Sequence, residues 1–223
     1  MEANQNFITI YHGSLSEVPN PMFGEGKPYN DYGLGFYCTE NIEMAKEWAC
    51  SKKKHGFVNT YTLDVSGLNG TNLNSSDYSV LHWITVLLQN RKFDTSELGE
   101  EVKAFLTDNY RIDGLGVSDT IKGYRADDSY FSYAEDFVNN TLSINRLETA
   151  MKLGNLGEQV VLISKQAFER LKFVKSEKVD AEIYYPKWQS RDEDARAKYR
   201  AMRKEGLVDG VYALDIIRRN AKI

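Results

Sequence analysis

The sequence predicts an α+β fold. Strand-like and helix-like stretches follow one another in mixed order with no βαβ rhythm, which argues against a doubly wound sheet. The continuous apolar run Gln159–Ile163 reads as a buried central strand. A chain of 223 residues, 42% hydrophobic and 27% charged, has the balance of one well-packed domain with an appendage.

The first strand is expected over 7–11, where Phe, Ile, Thr, Ile and Tyr combine β-branched and aromatic side chains. A long connection over 13–35 follows, punctuated by Pro19, Pro21, Gly24, Gly26, Pro28, Gly33 and Gly35. A loop of that length inside a compact domain is usually functional or mobile. Residues 36–39 form a second short strand. Thr39 or Asn41 then offers the N-cap of a helix whose Met44, Ala45, Trp48 and Ala49 share an apolar face. Residues 58–65 alternate as a strand, and 67–76 read as loop. Leu81, Ile84, Leu87 and Leu88 recur at helical period over 78–91, and another helix is expected over 97–108. Residues 109–128 stay unassigned, because Gly114, Gly116 and Gly123 separate short apolar pieces. Helical pattern returns over 131–139 and 144–153. After the strand at 159–163 come a short helix over 165–171 and a last strand starting at Lys172.

From Ala181 the character changes. Residues 181–223 hold ten Lys/Arg against seven Asp/Glu (+3), leaving 18 against 25 (−7) for residues 1–180. The chain therefore divides into a body, 1–180, and a charged helical extension, 181–223. A helix over 192–205 would gather Arg196, Arg200, Arg203 and Lys204 on one side, either as a solvated face or as a surface for phosphate or an acidic partner. The net charge of −4 gives no overall drive toward nucleic acid or anionic membrane. No apolar run approaches the roughly 18 residues of a membrane span. No secretory leader pattern opens the sequence, and Cys38 and Cys50 suit free thiols in a reducing, cytoplasmic setting. These cysteines and the three histidines lack metal-binding spacing, so no metal site is expected. Fourteen tyrosines are a heavy load, and Tyr29, Tyr32, Tyr37, Tyr124 and Tyr130 lie near glycines. They suit either a cleft that stacks a flat ligand or a scatter of half-buried core rings.

Three separated segments put a polar group beside glycine at a strand edge: Tyr11-His12-Gly13-Ser14, Gly33 to Thr39, and Gly157-Glu158-Gln159-Val160-Val161. Singly, each is equally a structural feature. Together and in this order they resemble the His-Tyr-Glu/Gln branch of the ADP-ribosyltransferase superfamily, with its diphtheria-toxin-like and poly-ADP-ribose-polymerase-like folds. The chain is similar, more closely, to a bacterial family of small ADP-ribosyltransferase-like proteins of unknown function. The matching segments are Tyr11–Ser14, Asp31–Thr39, Trp83 to Asn90-Arg91, Gly123–Asp128 and Gln159-Val160.

The resemblance implies two packed, mainly antiparallel sheets forming an NAD cleft. It implies an NAD-dependent mono-ADP-ribosyltransferase that releases nicotinamide through an oxocarbenium-like state, akin to glycosyl transfer. His12 would bond the adenosine ribose, the Gly13 backbone would hold the nicotinamide amide, and Tyr37 would stack on the nicotinamide ring. Ser14, Gly35, Phe36 and Arg91 complete the implied cofactor contacts, and the 13–35 loop would fold over the ligand. At the third catalytic position many members carry glutamate, but here the pattern points to Gln159. A neutral amide bonds a ribose hydroxyl yet supplies neither negative charge nor a base. Strand alternation puts Glu158 and Gln159 on opposite faces, so one of them faces the cleft. The missing charge would come from the substrate, or from Asp127 or Asp128 unless these are capping residues. Arg91 would pair with those carboxylates or with NAD phosphate, unless it is a surface arginine. Relatives are associated with toxin–antitoxin and defence settings, which implies a macromolecular acceptor (protein, RNA or DNA) and an antitoxin partner. The alternatives are an NAD glycohydrolase and a non-catalytic NAD- or ADP-ribose-binding module.

Overall fold

Two sheets organise the chain, whose computed structural model describes residues 6–126, 128–151, 157–204 and 210–219. Strand β1 (Phe7–Ser14) pairs antiparallel with β3 (Gly56–Asp64), and β3 pairs antiparallel with β7 (Leu171–Val179). The second sheet runs β2 (Phe36–Cys38), β6 (Glu158–Leu162), β5 (Thr120–Tyr124), β4 (Gly70–Asn72); its β4–β5 pair is parallel and the others antiparallel. Reciprocal backbone bonds between Tyr11 and Thr39, 2.8 and 2.9 Å, join the sheets at one edge. The fold is α+β with two mostly antiparallel sheets.

Alternation along the strands builds the packing. Ile10, Tyr61 and Leu63 of the first sheet meet Cys38, Val160 and Leu162 of the second in a dry interface. On the second sheet's other face, Ile121 and Val161 pack under four helices. These are α2 (Val80–Asn90), α3 (Glu97–Tyr110), α4 (Asp128–Val138) and α5 (Ile144–Met151), which contribute Leu87, Leu106, Phe137 and Leu147. Helix α1 (Ile42–Cys50) begins at Asn41, whose Oδ1 accepts the N–H groups of Glu43 and Met44, satisfying two orphan donors. Its Ala45 and Ala49 pack with Val58 and Val179 on the first sheet. The short α6 (Lys165–Glu169) leads into β7.

Three sequence expectations are corrected. The stretch read as loop over 67–76 contains β4, three residues whose pairing comes entirely from β5. The unassigned 109–128 stretch contains β5 at the centre of the second sheet. The C-terminal helix α7 (Ala181–Lys204) starts at Ala181 rather than Asp192. It lies along α1, held by Arg191 on Glu47 and by Tyr184 on Glu43, and sends Ala195 and Tyr199 into the large core cluster. Helix α8 (Ala213–Arg219) adds Ala213 and Ile216 to that cluster. We expect Ile216→Ala to cost roughly 3 kcal/mol of stability, as for other buried Ile truncations. Chemical denaturation measures it, and a loss under about 0.5 kcal/mol, the surface-residue range, would contradict this packing.

Among the described residues no helix is long and apolar enough to cross a membrane, and no group of three or more His, Cys, Asp or Glu is placed to hold a metal ion. Cys38 and Cys50 are buried free thiols.

Candidate functional site

A cleft of about 740 Å³ opens between the end of β1, helix α1, helix α7 and the rim of the second sheet. Its size is that of a small-molecule site. His12 enters it from the third residue before the end of β1, counting Ser14 as the first. Its Nδ1–H donates to the Tyr37 carbonyl at 2.7 Å, and its ring lies 4.5 Å from that of Phe36. A carbonyl only accepts, so Nδ1 carries the proton and Nε2 is an acceptor in the neutral ring. Burial pushes the His12 pKa below its usual value, more than the bond to Tyr37 raises it. The ring is therefore neutral at pH 7, with its orientation locked.

Tyr37 is anchored through its hydroxyl, which donates to the Gly33 carbonyl at 2.7 Å and accepts the Tyr32 N–H at 3.1 Å. Burial holds this phenol well above its ordinary pKa, so it stays a donor. With the polar tip occupied, the ring is what Tyr37 offers the cleft. Gly33 adopts φ +76°, and a Cβ there would fall 2.7 Å from Asn90 Oδ1, so the loop needs glycine on both counts.

Asp31 is where the separated segments meet. It is 5% exposed. Its Oδ1 accepts from Arg91 Nη1 at 2.7 Å, and its Oδ2 accepts from the Ala126 N–H and from Gln159 Nε2, each at 2.9 Å. Three donors on one carboxyl fit the ionised form, which is acceptor-only. Burial pushes the Asp31 pKa up, against the downward pull of the Ala126 N–H, Arg91 and Gln159. The next residue, Tyr32, accepts from Trp83 Nε1 at 3.0 Å and donates to the Tyr124 carbonyl at 2.6 Å. Gly123 lies under that hydroxyl, where a Cβ would sit 2.2 Å away. Trp83, Asn90-Arg91, Gly123–Ala126 and Gln159 thus all support one loop, Asp31–Tyr37.

Adjacent residues of β6 face apart. Gln159 is buried and lines the cleft. Its Nε2 points at two acceptors, Asp31 Oδ2 and the Tyr124 carbonyl (3.3 Å), which leaves Oε1 for the cleft. Glu158 instead accepts from Asn74 at 2.6 Å and pairs with Lys122 at 3.0 Å, away from the cleft.

Gly13, Gly35 and Phe36 line the cleft, as does Arg91. Arg91 is engaged by Asp31 and lies 4.6 Å over the Phe131 ring. Asp127 lies outside the described residues, as does the side chain of Asp128, the first residue of α4. Of the five tyrosines near glycines, Tyr37 lines the cleft, Tyr32 is core, Tyr124 packs half-buried against the large core cluster and Tyr29 is 68% exposed. The Tyr130 side chain lies outside the described residues.

Ser14 does not line the cleft. Its hydroxyl donates to the Ser16 carbonyl at 2.6 Å and accepts from Asn59 at 3.0 Å. Fully buried Asn59 also accepts the Val18 N–H at 2.9 Å, and Tyr61 donates to the Val18 carbonyl. Ser14 and Asn59 therefore fasten the start of the long loop, whose later residues Met22, Glu25 and Asn30 wall the cleft. Asn59→Ala is expected to cost about 2 kcal/mol by orphaning buried groups. Faster hydrogen exchange at Val18 would accompany it, and an unchanged rate there would refute the clamp.

Besides Asp31, contributors not expected from the sequence include Trp48 of α1, Arg125 after β5, and Trp188 and Asp192 of α7. Arg125 lies 4.7 Å over the Trp48 ring. Arg196, expected in a surface stripe, also lines the cleft and donates to Asp192 at 2.8 Å. The signal for this wall was the i, i+4, i+8 spacing of Trp188, Asp192 and Arg196.

Residues 8–173 match the model of a family described as protein of unknown function (DUF3990). The chain belongs to that family. No curated protein and no solved structure matches it.

Proposed function

From the chemistry of the cleft, we propose that the chain is an NAD-dependent mono-ADP-ribosyltransferase with an ADP-ribosyltransferase-like fold. The observation that carries this is the convergence of His12, Tyr37 and Gln159, from three distant segments, on one cleft. Each is anchored so that the part left over suits NAD. His12 Nε2 and Gln159 Oε1 are acceptors for ribose hydroxyls, and the Tyr37 ring offers a face for a flat heterocycle. Arg125 brings positive charge for a diphosphate, and Arg196, paired with Asp192, offers guanidinium donors beside it. Two mostly antiparallel sheets beside the cleft are compatible with the reading.

In the reaction, the bond between nicotinamide nitrogen and the anomeric carbon breaks, and its electron pair leaves with neutral nicotinamide. The acceptor's nucleophile forms the new bond at that carbon and loses its proton. His12 fixes the adenosine end, Tyr37 holds the departing ring, and Gln159 fixes the ribose at the reacting carbon. The acceptor is a macromolecule, protein, RNA or DNA. A cytoplasmic toxin or defence effector, restrained by an antitoxin protein, is the setting this reading implies.

Incubation of the protein and a cell lysate with NAD labelled in its adenylate phosphate tests the proposal. Label on a macromolecule supports transfer, and mass spectrometry of protein, DNA and RNA then identifies the acceptor. Label appearing only as free ADP-ribose makes the protein a glycohydrolase. Intact NAD that binds makes it a binding module, and NAD that does not bind removes the reading altogether.

A further inference from the structure

An amide at the third catalytic position leaves the positive charge that develops on the ribose without a counter-charge from that side chain. The geometry points to its source. We propose that Asp31 is a positioning residue that orients and polarises Gln159, supplying through it the negative charge that a glutamate would supply directly; this rests on the NAD reading above.

The orientation follows from hydrogen-bond chemistry. Gln159 Nε2 lies between Asp31 Oδ2 at 2.9 Å and the Tyr124 carbonyl at 3.3 Å. Turning the amide would put Oε1 against two acceptors, so the oxygen is held toward the cleft. The bond to Asp31 is charge-assisted, and it draws the N–H protons toward the carboxylate while electron density moves to Oε1. In a buried site that polarisation is poorly screened. Asp31 also borders the cleft, but it is 5% exposed, with Arg91 on Oδ1 and Ala126 and Gln159 on Oδ2, so three of its roughly four acceptor positions are occupied by the protein. Gln159, bonded to Asp31 and lining the cleft, gives that carboxylate a route to a ligand. Arg91 on Oδ1 and the Ala126 N–H on Oδ2 hold the carboxylate in place whether or not Gln159 is present.

The test compares wild type, Asp31→Asn and the transposed pair Asp31→Asn/Gln159→Glu, each checked for folding by thermal melting. Two quantities are read: NAD dissociation constant by calorimetry and NAD turnover as nicotinamide release. Asp31→Asn is expected to lose about a hundredfold in turnover, the scale of one lost preorganised electrostatic contact. NAD affinity should stay within about threefold, because the loss falls on the transition state. The transposed pair returns the carboxylate to the cleft and should recover at least about tenfold of that loss, which a merely structural role for Asp31 does not predict. Wild-type turnover in Asp31→Asn, or a transposed pair no better than Asp31→Asn, overturns the relay while leaving the NAD reading intact. A wild-type protein that neither binds nor cleaves NAD overturns both. If Asp31→Asn does not fold, Gln159→Met replaces it, since Asp31 keeps Arg91 and Ala126. Undiminished turnover in Gln159→Met overturns the relay. A loss with NAD still bound supports it only together with Gln159→Glu turning over at about the wild-type rate. A Gln159→Glu far faster than wild type overturns it, because the amide then lacked the charge the relay supplies.

Discussion

Replacing His12 by alanine is expected to abolish the proposed ADP-ribose transfer, with NAD turnover down by at least about a hundredfold, the cost of a misplaced substrate. The ring has one locked nitrogen, on the Tyr37 carbonyl, and one acceptor nitrogen for the ligand. Alanine removes both, and with them the ring contact with Phe36. Tyr37→Ala should be as damaging, since it deletes the ring in the cleft and the hydroxyl that ties Gly33 and Tyr32. Full activity in either variant would overturn the site assignment. The sign of the pH response is fixed as well. Burial lowers the His12 pKa in the folded protein, so NAD affinity should be flat from pH 8 down to about 6.5, the unperturbed value. It should fall only at lower pH, once Nε2 gains a proton and ceases to accept. The same shift costs folding stability below about pH 6.5, where the unfolded chain binds a proton that the folded chain resists.

Gly13→Ala, which makes the tightest added-Cβ contact among the described glycines, should lose at least about 3 kcal/mol of stability, the upper range for overpacking. An added Cβ would lie 2.0 Å from the Ala45 carbonyl oxygen and 2.8 Å from the Ala49 nitrogen. Both obstacles are backbone of α1, so no rotamer change relieves them. For a domain of this size that loss lowers Tm by roughly 6–12 °C. Gly116→Ala, where nothing lies within 4 Å of the added Cβ, is the matched control and should change little. Equal melting of the two variants would refute the close contact between β1 and α1.

These two variants separate roles that the Tyr11–Ser14 segment merges. His12 addresses the cleft, Gly13 admits α1, and Ser14 with Asn59 fastens the loop. The strand ending in a polar residue beside glycine was legible because period-2 alternation and local turn chemistry survive in sequence. The opposed faces of Glu158 and Gln159 were legible for the same reason. Asp31 was not, since a carboxylate in a Gly/Asn-rich loop reads as a turn former. Its partners Arg91, Ala126 and Gln159 come from three other segments, and only the fold reveals them. Strand β4 escaped because Gly-Thr-Asn has no strand pattern of its own; its partner β5 makes it one. The α7 wall escaped because a mixed-charge helix looks the same from the sequence whether its charges face water or a cleft. The boundary drawn at residue 180 marks a real change in composition. It says nothing of packing, and Tyr199 and Ile216 lie in the same cluster as Trp83 and Phe137.

The central claim, an NAD cleft at His12, meets its most direct test in the histidine NMR signals. The chain has three histidines, His12, His55 and His82. Of these, His12 lines the cleft. Titration with NAD should shift the His12 ring signals saturably and leave those of His55 and His82 in place, each assigned by substitution. A His12 signal that stays put at saturating NAD, or shifts confined to His55 or His82, would contradict the account.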